Sequence, residues 1–457
     1  MKNIFALFLI LFVAYSCMNK KIDYVTVSGK IENSTVNSIE VSRGEFSKKI
    51  PVDSERITDT LYIDENGFYN LNIGRDYISI YLEKGGNLSF SADANEIDKT
   101  IVFEGSIAAE NNFLAWKALI KEKVLGSRND GYKLDEDAFV ETLDNYMDTL
   151  DSSLLNKSLS DVFVALEKKN LTFEKVYLLN NYERYHRYST RDMEFKVSDN
   201  YTKNLEDLWA GIDFNNEVDY RNSQDFQNLL NPGYRSDVAE KIRNGGDYGD
   251  VLLNDYIPGI PNEYIRNSIM KGHYGVVLRA DNNLDANYKR FMDLSTNEDH
   301  KKIYTEFYNK KKKITPGQPS PVFDYENYNG GTTSLNDLRG KYVYVDVWAT
   351  WCGPCKAEIP YLQEVEKEYH NKNIAFVSIS IDDKEDYQKW RDFVKEKDLG
   401  GIQLVADKDW DSDFVTGYQI NGIPRFVLID PDGNIVTSDA PRPSNKALKD
   451  LFSELKI

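Results

Sequence analysis

Tyr342-Val343-Tyr344-Val345-Asp346-Val347-Trp348-Ala349-Thr350-Trp351-Cys352-Gly353-Pro354-Cys355-Lys356 is the stretch on which the fold turns. Tyr342 to Trp348 is β-branched and aromatic with a single acid, bounded by Gly340 and Thr350, the pattern of a central strand buried on both faces. From Cys355 to Tyr369 the apolar positions Ile359, Leu362, Val365 and Tyr369 form a helical stripe, and Pro360 predicts a kink. A buried strand feeding a helix predicts an α/β domain, with Cys352 at the helix N-terminus. There the unpaired N–H groups and the positive end of the helix dipole stabilise a thiolate, lowering the pKa of the first thiol. Cys352 is therefore the candidate nucleophile. Cys355, one turn on, is the candidate resolving thiol, which attacks Cys352 in a mixed disulfide and releases the substrate as a thiol.

The surroundings add three candidates. Asp346 sits six residues before Cys352, and an acid among Val345, Val347 and Trp348 is costly unless it has a task. Burial raises its pKa and suits it to proton transfer near neutral pH. Pro424 stands just ahead of the apolar run Phe426-Val427-Leu428-Ile429, where a cis peptide would present the backbone of Ile423 to an extended substrate chain beside the sulfurs. Trp351, Gly353 and Pro354 complete the substrate-facing surface around the dithiol. Lys356 after the second cysteine excludes c-type haem attachment, which requires Cys-x-x-Cys-His.

The rest of the composition narrows the role of this pair. A net charge of -18 argues against a sequence-independent grip on nucleic acid, which needs clustered basic side chains. The 457 residues predict two to four domains, and 30 tyrosines mark a globular rather than disordered chain. At the N-terminus Lys2 precedes an apolar run from Ile4 to Ala14, too short to span a bilayer, which reads as a targeting segment. Of the 3 cysteines, Cys17 follows this run directly. If Cys17 is modified, no structural disulfide remains possible and the pair Cys352 and Cys355 is kept for another purpose. Two thiols and scattered histidines offer no zinc spacing, so neither a metal nor any other cofactor is expected.

Residues 22–106 are short segments with turn signals at Glu65-Asn66-Gly67 and Lys84-Gly85-Gly86-Asn87. Val25–Ile31, Gly67–Ile73 and Tyr77–Leu82 alternate as half-buried strands, predicting an all-β sandwich. Residues 107–310 turn to helical spacing, with helices expected at Ala109–Val124, Asp137–Leu154, Leu159–Lys168, Phe173–Tyr188, Tyr201–Trp209 and Tyr288–Tyr308. His186, His273 and His300 lie there without metal-ligand spacing and are expected to be structural. Three prolines and a glycine in Thr315 to Pro321 forbid continued helix and mark a linker at 311–320. An α/β domain occupies 321–457.

Trp348 to Lys356 resembles the active-site block of the thioredoxin superfamily, and in particular its TlpA-like envelope branch. Ser334-Leu335-Asn336-Asp337-Leu338-Arg339-Gly340-Lys341 is similar to the turn before the central strand of that branch. Gly422-Ile423-Pro424 and Phe426 to Gly433 resemble its cis-proline loop and terminal hairpin, so the resemblance spans residues 315–457. It implies a mixed sheet flanked by helices and a thiol-disulfide oxidoreductase in which Asp346 takes the proton of Cys355 through water. Gly353-Pro354 is the dipeptide of reducing thioredoxins, implying a potential nearer about -270 mV than about -120 mV. The β-sandwich resembles the domain that precedes this module in Gram-negative envelope lipoproteins. Ala14-Tyr15-Ser16-Cys17 resembles a lipobox, implying a signal peptide over 1–17 and lipidation of Cys17. Met18-Asn19-Lys20-Lys21 carries no acidic run, which favours an anchor facing the periplasm. The expected partners are disulfide-containing envelope proteins and a membrane thiol-disulfide electron donor. Two rival readings stand beside this one: a docking lipoprotein with an auxiliary redox module, and a peroxide reductase of related fold. The latter wants a Thr where Ala349 stands.

Overall fold

The computed structural model describes residues 22–281 and 283–457, so Cys17 lies outside the described residues. The chain divides into two compact units, Met1–Ser236 and Asp237–Ile457. Among the described residues no helix is long and apolar enough to cross a membrane.

The first unit opens with β1 (Tyr24–Glu32), β2 (Ser38–Arg43), β3 (Phe46–Pro51), β4 (Arg56–Tyr62), β5 (Gly67–Ile73), β6 (Asp76–Leu82), β7 (Asn87–Asp93) and β8 (Val102–Glu104). They form two four-stranded sheets, ordered β4-β1-β7-β8 and β3-β2-β5-β6. Alternation decides which face is buried: Val25, Val27 and Ile31 of β1 share one core with Ile39 and Val41 of β2 and Leu71 of β5. Gly29 fits because a Cβ there would lie 2.6 Å from the Phe90 ring.

Helices Ala108–Leu125, Glu136–Ser153, Asp161–Thr190 and Asp199–Ala210 follow. Asp135, Ser160 and Ser198 cap the last three by accepting backbone N–H bonds from Ala138, Phe163 and Tyr201. The two helices expected over Leu159–Lys168 and Phe173–Tyr188 are one helix, because Lys169-Asn170-Leu171-Thr172 contains neither Gly nor Pro to stop it. The reverse holds in the second unit. The helix expected over Tyr288–Tyr308 is two, Leu284–Leu294 and Glu298–Lys312, because Asn297 caps a new start by accepting from the N–H groups of Asp299 and His300, both at 3.0 Å. Short helices at Glu217–Asn222 and Gln224–Leu229, and the longer Glu263–Val277, were outside the sequence expectation. The helical stretch 107–310 is thus shared between the two units.

The second unit is built on β9 (Asp324–Asn327), β10 (Thr332–Ser334), β11 (Tyr342–Trp348), β12 (Ile374–Ser380), β13 (Ile402–Val405), β14 (Arg425–Ile429) and β15 (Ile435–Thr437). They form a seven-stranded mixed sheet in the order β10-β9-β13-β12-β11-β14-β15. β11 is central, parallel to β12 and antiparallel to β14. Val343, Val345 and Val347 face one core with Trp390 and Phe414, while Tyr344 faces the other with Leu362, Val365 and Phe452. The helix Gly353–Tyr369 therefore lies on the Tyr344 side, the side to which alternation also turns Asp346. Residues 311–320, expected as a linker, are tied to the sheet: the Gly317 N–H donates to the Ile435 carbonyl, and the Ile435 N–H to that of Gln318, both at 2.8 Å.

Candidate functional site

β11 runs out at Trp348, and Cys352 caps the helix Gly353–Tyr369. Its Sγ accepts the Cys355 N–H at 3.1 Å, one of the donors that a helix N-terminus leaves unpaired. Cys352 and Cys355 are joined in a disulfide with Cα atoms 5.3 Å apart. Both are buried, whereas Trp351 next to them is 50% exposed. Gly353 and Pro354 are exposed beside it, and Trp410 stands 6.4 Å from the Trp351 ring. The helix continues through Pro360.

Two of the remaining expected residues arrive with β14. Val347 pairs with Arg425, so Pro424 stands level with Trp348 where β11 releases the chain toward the cysteines. The Ile423–Pro424 peptide is cis. Ile423 packs against the apolar cluster that contains both cysteines. The Arg425 guanidinium is engaged by Asp439 at 2.7 Å.

Asp346 is buried, and its Oδ1 has no hydrogen-bond partner among the described residues. Burial above all, then the charges of Glu358 and Glu366, push its carboxyl up to about 8. Glu366 is itself pushed up to about 7 by burial. The carboxyl of Asp346 is thus able to exchange a proton near neutral pH.

Three contributors escaped the sequence reading. Asp382 comes two residues after the end of β12, whose seven residues are all buried. It accepts the Thr350 N–H at 3.0 and 3.1 Å, the Thr350 hydroxyl at 2.7 Å and the Ser380 hydroxyl at 2.6 Å, and so holds the turn that leads to Cys352. An acid directly after the run Ile374 to Ile381, whose only polar residues are two serines, was the available signal. Glu358 lies three residues after Cys355, a same-face spacing, and accepts the Ser444 N–H at 3.0 Å and hydroxyl at 2.9 Å. Trp410 carried no local signal, since only the fold brings it to Trp351. Elsewhere, Nδ1 of His186 meets the Tyr132 carbonyl at 2.8 Å and that of His273 the Ile269 carbonyl at 2.7 Å.

A central strand that delivers a Cys-x-x-Cys pair to a helix N-terminus, beside a cis-proline loop and above a buried acid, defines a thioredoxin-like redox domain. Residues 316–438 match the AhpC/TSA family. The thiol-disulfide oxidoreductase ResA of a Bacillus cereus strain is 33% identical over 134 residues, which are 29% of this chain and 75% of that protein. ResA of Bacillus subtilis (strain 168) is 30% identical over 154 residues, 34% of this chain and 83% of that protein. The crystal structure of the thioredoxin domain of a thiol-disulfide oxidoreductase from Bacteroides vulgatus is 29% identical; the match covers 31% of this chain and 98% of that one, with a TM-score of 0.28. The chain belongs to the ResA family of thiol-disulfide oxidoreductases.

Proposed function

We propose that this oxidoreductase works as a reductase of disulfides in exported proteins. Cys352 attacks one sulfur of the substrate disulfide, and the other sulfur leaves as a thiolate that takes up a proton. Cys355 then attacks Cys352 while its proton passes to Asp346 and Asp346 gives up its own to the departing substrate sulfur, so that the substrate leaves with two thiols and the enzyme keeps the disulfide. The observation that carries this reading is the buried carboxyl of Asp346, whose Oδ1 is unpartnered and whose raised pKa lets it take and return that proton near pH 7. The backbone at Ile423 and Pro424 and the exposed faces of Trp351, Gly353 and Pro354 hold the substrate chain.

Each turnover leaves the site oxidised, so an electron donor must restore the dithiol; in the envelope a membrane thiol-disulfide transporter has the required chemistry. The apolar run before Cys17 supports export and lipid anchoring on Cys17, with the chain facing the periplasm. Catalysis of insulin reduction by a chemical dithiol tests the reading. Wild-type protein is expected to accelerate the reaction and a Cys352→Ser variant to abolish it. Activity that survives loss of Cys352, or no activity above the dithiol alone, would remove the proposal.

A further inference from the structure

The first unit holds a cleft of about 300 Å³, at the lower end of the roughly 300–1,000 Å³ of small-molecule sites. Its floor is the outer face of one sandwich sheet. Ser42, Asn70 and Ser79 stand in register across β2, β5 and β6, while their neighbours Val41, Leu71 and Ile80 point into the sandwich core. Helices bring charge to the opposite wall. Lys117 and Lys121 are one turn apart on Ala108–Leu125, Glu167 and Glu174 lie on Asp161–Thr190, and Asp225 lies on Gln224–Leu229.

Most of these charges are already spent on one another. Glu174 takes Lys117 at 2.9 Å and Lys121 at 2.7 Å, and accepts the Tyr146 hydroxyl at 3.2 Å. Glu167 takes Lys117 at 2.7 Å and the Asn170 amide at 3.1 Å. At the rim, the Arg43 guanidinium donates to the Arg221 carbonyl and to the Asn222 side chain, both at 3.2 Å, and Arg221 pairs with Glu217 at 2.7 Å. Two groups are left over. Lys121 uses one of its three N–H donors on Glu174, and its side chain is 38% exposed against 2% for Glu174. Asp225 makes no hydrogen bond and no ion pair within 4.0 Å among the described residues.

Lys121 and Asp225 lie close enough for each to act on the other's charge, yet they do not meet. Burial first, then Glu174, raises the Asp225 carboxyl, while Lys121 works in the opposite sense. An ammonium with spare donors and a carboxyl group with spare acceptors therefore line the same cleft. A neutral polyol would leave Asp225 without a counter-charge, and a simple cation would leave the spare donors of Lys121 unused.

We propose that this cleft binds a small zwitterion, a free α-amino acid or a short peptide, with its ammonium group on Asp225 and its carboxylate on Lys121. Ser42, Asn70 and Ser79 then offer hydrogen bonds to the rest of the ligand. The site is separate in chain and chemistry from the dithiol.

The test is calorimetric titration of the whole protein with the common amino acids, with dialanine, and with glucose as the neutral control. Concentrations up to about 10 mM exceed the millimolar Kd of a weak site. Saturable binding of at least one zwitterion is expected, with free amino acids and dialanine as arms that separate the two sources. N-acetylation or esterification of the bound compound is expected to weaken it at least about tenfold, each block removing one charge-assisted contact. Asp225→Asn and Lys121→Met should weaken binding similarly and leave insulin reduction unchanged. Absence of binding by every zwitterion, equal binding of blocked and free compounds, or binding of glucose in their place would overturn the proposal. The blocked ligands decide the matter even if a variant misfolds.

Discussion

The substitution Asp346→Asn should make the redox domain more stable, by an amount that grows with pH. In the folded protein this carboxyl keeps its proton up to about pH 8, because burial and the charges of Glu358 and Glu366 oppose ionisation. In the unfolded chain it loses the proton at about pH 3.9. Between those values the folded state holds the extra proton, so stability falls as pH rises, by about 1.4 kcal/mol per pH unit. At pH 7 the accumulated cost is about 4 kcal/mol, and it levels off above about pH 8. An amide at this position cannot ionise and escapes the cost, so variant and wild type should coincide near pH 4 and diverge above it. Urea unfolding of the oxidised protein between about pH 4.5 and about pH 8.5 measures the difference, followed by tryptophan fluorescence, since Trp348, Trp351, Trp390 and Trp410 are among the 6 tryptophans of the chain. A difference that does not vary with pH, or a variant less stable than wild type at the alkaline end, would refute the assignment of Asp346 as a buried acid with a raised pKa.

Three further outcomes follow from the same geometry. Glu358→Gln removes a negative charge that raises Asp346, so the alkaline loss of stability should level off at lower pH; the same urea series run on this variant checks the direction. Asp382→Ala strands the Thr350 N–H and the Thr350 and Ser380 hydroxyls in a buried site, which should cost about 3 kcal/mol or more and lower the rate of insulin reduction. Gly29→Ala drives a methyl group into the Phe90 ring and should destabilise the β-sandwich by about 1–3 kcal/mol, read from hydrogen exchange of β1 and β7, while the redox activity is unchanged.

The parts of the fold that could be read from the chain were those in which one local pattern dominated. The apolar run from Tyr342 to Trp348, broken only by Asp346, and the alternation of Val25 to Ile31 each specify a strand and its buried faces without outside help. Helix limits were less legible, because they depend on single caps. Asn297 divides what periodicity joins, and the absence of a breaker between Lys168 and Phe173 joins what periodicity divided. The short helices between Glu217 and Leu229 carry too few turns for a period to emerge. At the site, Cys352, Cys355, Asp346, Ile423 and Pro424 were visible because motif and burial pattern coincide. Trp410 was not, since only the fold brings it to Trp351, and Asp382, for all its place directly after an apolar run, shows its role only once β12 lies beside β11.

In the proposed mechanism Cys352 is the sulfur that engages substrate and Cys355 the one that releases it. Cys355→Ser protein, recovered from cells under non-reducing conditions and analysed by mass spectrometry, tests this directly. Mixed disulfides joining Cys352 to cysteines of other proteins are expected, absent from the Cys352→Ser variant. Trapped species on Cys355 in the Cys352→Ser protein, with none on Cys352 in the Cys355→Ser protein, would contradict it.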